Sequence, residues 1–482
     1  MWAGGAFIAM SRAIGQIAQV ATFLFGARIL GPADFGIFAM VSAAAVLMSV
    51  TAQAGWSGYI LSVRHTHQEV RQVLSLSTLF GLALSLAGLT FAASGVLGAD
   101  RAVVTSLALW FSVWVLIATL AEGQFAVLLY REQVGAAAAC QIAAEVTGFV
   151  VAVWSLIEGH GVLALAWGRL AAQGVQLVSM FAVSRTLPTV ALTMAVTRGA
   201  VMFSAHVVGT RLLSNVSQYI GTFAVGGFLG AEAAGLFRLG QRLVGAASEL
   251  LNEPARVITW LYLRRTVARF DDNDSPQAIQ ALQRAIERLM PALLIIGAPL
   301  FVGLMLLSAL LLDALLGEVW RPAAPIVSIL AIKALITIPS NITEPLLAIR
   351  GKIRFLPILS TIYVVLSVAF ILPTAPYGLY PMTLAHLALG FIAFTIMLGV
   401  HKAVLGLDWL RIGRACVPLV PVLGSFALVL IILRALTAGR GLSPLLELAV
   451  VSAPAAAVYL SQLIWLRPDA VISLFGAIRR TG

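Results

Sequence analysis

An all-α integral membrane protein with about fourteen transmembrane helices is predicted by three observations. Apolar segments of roughly twenty residues, the length that crosses a bilayer, follow one another along the 482-residue chain. Hydrophobic residues make up 60% of the sequence and charged residues 11%, a balance that excludes a soluble domain. The segments do not alternate apolar and polar residues as barrel strands do, so helices must satisfy their backbone hydrogen bonds.

The predicted spans include every strongly apolar segment of the chain. No cleavable signal peptide is expected, because Arg12 and Gln16 interrupt the first apolar run. The spans are 5–30, 37–61, 73–97, 103–129, 136–156, 161–184, 200–228, 234–258, 290–313, 323–349, 355–374, 380–401, 415–434 and 444–466.

The distribution of basic residues predicts the orientation. With the N-terminus inside, inner segments contain twenty Lys and Arg residues and outer segments five, as the positive-inside rule requires. An even number of spans then places both termini in the cytoplasm. The net charge of +11 is explained by this asymmetry, so a nucleic-acid partner is not predicted.

The second half of the chain repeats the first. Adding 199 to seven residue numbers of the first half gives their counterparts, and six of the seven pairs are identical. Six spans in each copy predict a parallel repeat, an architecture typical of transporters. The predicted division is 1–184 for the first bundle, 185–199 for a cytoplasmic linker, 200–401 for the second bundle and 402–482 for two extra helices and a tail. The pairs are Arg12/Arg211, Gln16/Asn215, Gln19/Gln218, Leu30/Leu229, Gly31/Gly230, Gly36/Gly235 and Phe38/Phe237.

The longest polar segment, 259–289, is predicted to contain an interfacial helix. Ser275 can cap this helix and Pro276 suits its first turn. Ile279, Leu282 and Ile286 share one face, as expected of a helix at the membrane surface. Neither a cofactor nor a metal site is predicted. The cysteines, Cys140 and Cys416, lie in or beside apolar helices and are expected to fill the core.

Polar side chains inside the spans recur at helical spacing. Because ionisable groups are costly in hydrocarbon, they usually face a cavity or a partner. Three stripes at positions i, i+4 and i+7 therefore predict a wet, cationic cavity, although interhelical hydrogen bonds that stabilise the bundle would give the same pattern. The stripes are Arg12, Gln16 and Gln19; Arg211, Asn215 and Gln218; and Arg169, Gln173 and Gln176.

Further cations and two prolines mark the second half. Arg238 and Arg242 form an i, i+4 pair, and Lys333 precedes Pro339 and Pro345 in span ten. Interior prolines remove helix hydrogen bonds, so span ten is predicted to bend at 337–345. Protons or sodium ions could be coupled through Glu122, Glu145, His206 and His386, each of which could instead be a packing or ion-pair residue.

The residue types indicate a substrate that carries phosphate and sugar. Arginine gives paired donors to phosphate oxygens without losing its charge, and amides suit hydroxyls. A cavity for lipophilic cations would need unpaired carboxylates and aromatic residues instead. A drug exporter is therefore the weaker of the two interpretations.

Several segments resemble bacterial polysaccharide flippases, the Wzx-type O-antigen and exopolysaccharide transporters. Residues 27–38, ARILGPADFGIF, are similar to the first outer hairpin of that family, and 229–237, LGAEAAGLF, to its second copy. Residues 316–324 resemble the family's G-x-x-W-x-x-A-A segment, and 348–352 its short basic turn. The likeness extends from residue 1 to about 400.

This resemblance implies the fold of the multidrug/oligosaccharidyl-lipid/polysaccharide superfamily and no enzymatic activity. It implies alternating access that moves an undecaprenyl-diphosphate-linked oligosaccharide across the bacterial cytoplasmic (inner) membrane, driven by an ion gradient. Membrane lipids and polysaccharide polymerase or export proteins are the implied partners. Three alternatives stay open: a multidrug exporter, a lipid II-like exporter, and a membrane enzyme such as a polymerase or ligase.

Overall fold

The computed structural model describes residues 2–53, 55–62, 65–94, 102–270, 272 and 275–466. Within these ranges, the side chains of residues 2–13, 206, 210, 214, 253 and 466 are not described. All regular secondary structure in the described part of the chain is helical.

The first half of the described chain forms eight α-helices joined by short connections. They are α1 (Trp2–Ile29), α2 (Pro32–Gln53), α3 (Trp56–Ser62), α4 (His67–Ala93), α5 (Ala102–Tyr130), α6 (Val134–Ile157), α7 (Leu163–Ser184) and α8 (Met194–Leu229).

Nine α-helices follow, with three short 3₁₀ helices at Glu318–Ala323, Ile338–Ile342 and Ala375–Tyr377. The α-helices are α9 (Ala231–Val267), α10 (Pro276–Leu315), α11 (Ala324–Thr337), α12 (Thr343–Ile349), α13 (Phe355–Thr374), α14 (Leu379–Leu405), α15 (Trp409–Cys416), α16 (Leu419–Thr437) and α17 (Pro444–Leu466).

Each predicted span coincides with one helix or with consecutive helical pieces, which confirms the all-α membrane fold. Within the described residues, ten helical segments are long and apolar enough to cross a bilayer, and a shorter apolar stretch covers Ile14–Ile29. The total of fourteen spans stays a prediction. The short helix α15 was not predicted; it buries Ile412 and exposes Leu410, as a surface helix does.

The prediction of a separate interfacial helix before span nine was wrong. Residues 276–289 are the first part of α10, a continuous helix of 40 residues that is about 60 Å long. The predicted apolar face is buried within the protein at Leu282 and Ile286. The predicted cap is confirmed, because the Ser275 hydroxyl accepts a hydrogen bond from the Ala278 N–H at 3.3 Å.

The chain divides into two compact units, Met1–Gly235 and Leu236–Gly482. Helix α8 belongs to the first unit because it packs against α2, α3 and α4. In the second unit, α16 and α17 pack against α10. There the Tyr459 hydroxyl donates to the Ile295 carbonyl at 2.7 Å, and its ring meets Phe426 edge-on. The two C-terminal helices are therefore part of this unit's core.

Within the first unit, the start of α2 packs closely against the start of α9. A Cβ atom on Gly36 would lie 1.7 Å from the Ala231 carbonyl oxygen, and one on Gly235 would lie 2.0 Å from the Pro32 carbonyl oxygen. Residues 32 and 231 are separated by 199 positions, as are 36 and 235. The contact is therefore reciprocal between the two copies of the repeat, and it requires glycine at both positions.

The connection 185–193 is bonded to the first unit along its length. Arg71 Nε donates to the Leu187 carbonyl at 2.9 Å, and the Thr193 hydroxyl donates to Gln72 Oε1 at 2.8 Å. These bonds fix an extended segment against the beginning of α4. Further hydrogen bonds join Gln124 to Thr186, Arg131 to Ser184 and Thr186, and Ser75 to Thr189.

Candidate functional site

The polar residues of α1, α6 and α7 meet around one carboxylate. Gln19 Nε2 donates to Glu145 Oε1 at 3.0 Å, and the Arg169 guanidinium interacts electrostatically with the same carboxylate. A Cβ atom on Gly15 would lie 3.4 Å from Glu145 Cγ, so the small residue lets α1 approach α6 here. Two of the predicted stripes, those of α1 and α7, thus adjoin Glu145.

A glycine crossing positions Glu145 opposite Arg169. A Cβ atom on Gly148 would lie 2.8 Å from the Gly168 carbonyl oxygen, and the reverse distance is also 2.8 Å. Glu145 lies about one turn before Gly148, and Arg169 directly follows Gly168. Because α6 and α7 form an antiparallel hairpin, close packing at the glycines brings the acid and the base to the same level.

A second acid lies near Arg211. Ser57 Oγ on α3 donates to Glu122 Oε1 on α5 at 3.1 Å, and Arg211 on α8 interacts electrostatically with the Glu122 carboxylate. Close packing also brings α8 to α3, since a Cβ atom on Gly58 would lie 3.2 Å from the Phe203 ring. Both acids predicted as coupling residues are therefore near arginines that were predicted to bind substrate.

The amides of these stripes make local hydrogen bonds. Asn215 Nδ2 donates to the Arg211 carbonyl at 2.9 Å, one turn earlier in α8. Gln173 Nε2 donates to Gln176 Oε1 at 2.7 Å within α7. Gln218 is exposed on α8. These bonds leave further donors and acceptors on each amide for a hydroxyl-bearing ligand.

In the second unit, Lys333 on α11 lies near α13 and α14. Its ammonium group is 6.0 Å from the centre of the Tyr363 ring, a cation–π distance, and its stem packs over Gly390. Within the described residues, no acidic side chain forms an ion pair with Lys333. Lys333 therefore differs from the arginines of the first unit, which have a carboxylate nearby.

The two arginines of α9 differ from Lys333. Arg242 forms an ion pair with Glu249 at 3.8 Å, and Arg238 donates to Gln241 at 3.5 Å. Both arginines are half-buried. Arg242 is thus partly neutralised by an acid two turns later in its own helix.

His386, one of the residues that the sequence predicts could carry coupling protons, is buried near Lys333. His386 on α14 is 5% exposed, its ring packs against Phe237, and neither ring nitrogen has a hydrogen-bond partner in the described part of the protein. Lys333 interacts electrostatically with this ring. The side chains of Arg12 and His206, and therefore their predicted roles, lie outside the described residues. Gln16, in contrast, is exposed on α1.

The predicted bending region coincides with a change of helix type. Span ten leaves the α-helix at Thr337, continues as the 3₁₀ helix Ile338–Ile342 that contains Pro339, and resumes as α12, where Pro345 occupies the first turn. Asn341 bonds to Asn252 on α9 at 3.0 Å. The corresponding span four, α5, is unbroken over 29 residues.

The described residues contain no group of three or more potential metal ligands, and Cys140 and Cys416 do not form a disulfide. The candidate residues of the first unit thus carry guanidinium, amide and carboxylate groups, and those of the second unit carry guanidinium groups and the ammonium group of Lys333. Such groups can bind oxyanions and hydroxyls by charge-assisted hydrogen bonds.

The fold and these side chains define a multi-pass helical membrane protein of the kind found among transporters. Over 97% of this chain and 99% of the other, the fold is similar to the inward closed conformation of the lipid II flippase MurJ, with a TM-score of 0.71 and 14% identity. It is also similar to an inward-facing multidrug resistance MATE family transporter of the MOP superfamily, over 81% and 95% of the two chains, with a TM-score of 0.56 and 13% identity.

Residues 26–325 match the family described as polysaccharide biosynthesis protein, and the chain belongs to that family. It is 23% identical to the succinoglycan biosynthesis transport protein ExoT of Rhizobium meliloti (strain 1021), over 68% of this chain and 64% of that protein. It is 25% identical to the teichuronic acid biosynthesis protein TuaB of Bacillus subtilis (strain 168), over 31% and 29%. The chain thus spans less than two thirds of either relative. The predicted family resemblance is confirmed.

Proposed function

We propose that this protein is a flippase of the bacterial cytoplasmic membrane. It moves an undecaprenyl-diphosphate-linked oligosaccharide from the inner to the outer leaflet by alternating access and thereby supplies surface polysaccharide synthesis. Both termini are cytoplasmic, and the chain acts as a carrier without enzymatic activity. Membership in the polysaccharide biosynthesis protein family and the fold shared with MurJ support this proposal.

The observation that carries the proposal is the placement of cations and amides on apolar helices. Arg169 and Arg211 lie within α7 and α8, and Lys333 lies within the apolar segment Glu318–Ile349, which is long enough to cross a bilayer. A charge at the centre of a membrane helix costs roughly 2.5–3.5 kcal/mol on the insertion scale. A structural role alone would be met at lower cost by apolar packing. An anionic, hydroxyl-rich substrate gives these side chains a function.

We assign substrate binding to the cations and amides predicted from the sequence. The cations bind the diphosphate, and the amides of α1, α7 and α8 bind sugar hydroxyls. Coupling to a proton or sodium gradient is proposed through the acids Glu122 and Glu145, with His206 as a further candidate. Polymerase and export proteins would act on the delivered glycan.

Replacement of Arg211 or Arg169 by alanine tests the proposal. We expect both variants to insert normally and to lose export of the surface glycan, because the diphosphate loses a bidentate donor. The measurement is complementation of a deletion strain, with membrane protein quantified in parallel. Arg198→Ala is the control, since Arg198 is an exposed residue at the start of the same helix as Arg211. Normal glycan in both test variants would contradict the assignment.

A flipping assay in proteoliposomes identifies the cargo. Transport of an undecaprenyl-diphosphate oligosaccharide, without transport of cationic drugs, is the expected result. Efflux of cationic drugs without movement of the lipid-linked glycan would identify a multidrug exporter instead.

A further inference from the structure

Arg169 and Arg211 each have a carboxylate nearby that is oriented by a side chain from a third helix. Gln19 on α1 donates to Glu145, and Ser57 on α3 donates to Glu122. Each donor bonds one carboxylate oxygen and leaves the other oxygen available. The two arginines thus have the same kind of neighbour. In each case, a neutral side chain donates a hydrogen bond to the carboxylate that lies near the arginine.

Resting on the proposed function, we infer that Glu145 and Glu122 compete with the substrate's diphosphate for Arg169 and Arg211. Carboxylate and phosphate oxygens need the same guanidinium donors. When the site is empty, the acid satisfies the arginine; when the diphosphate binds, it replaces the acid. The acids therefore act as internal counter-anions that lower the affinity for substrate.

A carrier needs such a limit on affinity because it must release what it binds. An arginine without a nearby acid would attract a diphosphate more strongly and retain it longer. A nearby carboxylate offsets this attraction and stabilises the arginine after release. The glycine crossing of α6 and α7 keeps the backbone near Glu145 close to the backbone near Arg169.

The inference is tested with Glu145→Gln and Glu122→Gln. Glutamine has the size of glutamate and can still accept the hydrogen bond from Gln19 or Ser57, but it carries no charge. We expect each variant to bind undecaprenyl diphosphate roughly threefold to tenfold more tightly than the wild type, because the arginine loses its competitor. Affinity is measured on the full chain in phosphatidylcholine nanodiscs. In proteoliposomes at saturating substrate, the same variants should turn over more slowly because release is slower.

Two controls make the result specific. Glu158→Gln removes the same charge from the exposed end of the hairpin that carries Glu145, and it should leave the affinity unchanged. Glu145→Gln combined with Arg169→Gln should show no gain, because the benefit of removing the acid requires the arginine.

The outcomes separate this inference from the proposed function. A wild-type protein that does not bind undecaprenyl diphosphate contradicts the proposed function. A wild-type protein that binds the probe, with Glu145→Gln and Glu122→Gln binding equally or less tightly, contradicts the competition alone. Unchanged affinity together with loss of the response to an ion gradient would assign the two acids to ion coupling.

Discussion

The two units treat their membrane-embedded charges differently. In the first, Arg169 and Arg211 interact electrostatically with the carboxylates of Glu145 and Glu122. In the second, Lys333 has an aromatic ring and a histidine nearby and forms no ion pair among the described residues. We infer that a ligand must displace an acid from Arg169 or Arg211. In the second unit Arg242 is also paired with an acid, Glu249, whereas Lys333 forms no ion pair among the described residues.

The units also differ in the continuity of corresponding helices. Helix α5 is unbroken, while its counterpart in the repeat order passes through a 3₁₀ segment at Ile338–Ile342. In the first unit, α6 and α7 cross at glycines whose backbones nearly touch. The comparison suggests a first unit built for fixed geometry and a second that combines an available cation with a deformable helix.

The largest effect is expected for Lys333→Gln. Removing an ammonium group that donates charged hydrogen bonds to a phosphate costs about 1.5–3 kcal/mol, so the affinity for undecaprenyl diphosphate should fall roughly tenfold to a hundredfold. Binding in nanodiscs measures this effect. Lys402→Gln, an exposed lysine in the last turn of α14, is the matched control and should bind normally. A larger loss for Arg169→Gln than for Lys333→Gln would reverse the comparison.

A smaller effect, on stability, is expected for Gly168→Ala. The new Cβ would lie 2.5 Å from the Ala152 Cβ, so α6 and α7 must separate at a cost of about 1–3 kcal/mol. A lower apparent melting temperature in detergent is the measurement. Gly174→Ala on the same helix meets nothing within 4 Å and should be neutral or slightly stabilising. Equal melting temperatures for the two variants would show that the crossing is not tight.

The smallest effect is expected for Pro339→Ala. Alanine restores a backbone N–H and lets an α-helix form through residues 338–342, so transport should slow by roughly threefold to tenfold, or about 1 kcal/mol in the barrier. Binding of undecaprenyl diphosphate should persist. Pro299→Ala, at a proline inside the continuous helix α10, is the control. Faster transport in Pro339→Ala, or equal slowing in both variants, would argue against bending at this position.

Hydropathy was sufficient to predict the helices, because a bilayer leaves a chain few other structures. The cap at Ser275 could also be predicted, since an N-cap hydrogen bond depends only on residues that are close together in the sequence. The continuity of α10 could not be predicted in the same way. The polar residues at 276–289 indicated a helix at the membrane surface, not the first part of a longer helix. That helix instead buries its apolar face on the protein and exposes its charges, as in a soluble helix.

The pairing of acids with arginines shows what a one-dimensional pattern omits. Glu122 and Arg211 come from distant helices, and their proximity depends on how α3, α5 and α8 pack. Glu145 and Arg169 were within reach of prediction. A short turn joins α6 and α7, so the two helices are expected to pack as an antiparallel hairpin, and Gly148 and Gly168 mark their close contact. The sequence could not predict that the buried ring of His386 lacks hydrogen-bond partners among the described residues, because this depends on how the helices around it pack.

The connection at 185–193 matters for any attempt to divide this protein into fragments. The sequence repeat alone indicates that the chain could be divided there into two halves. Yet Arg71, Gln72 and Gln124 all bond to this segment, and α8 packs with the first unit. A fragment ending at 184 would lose those partners and expose the face that α8 covers. The first compact unit of this chain therefore extends past the point where its sequence begins to repeat.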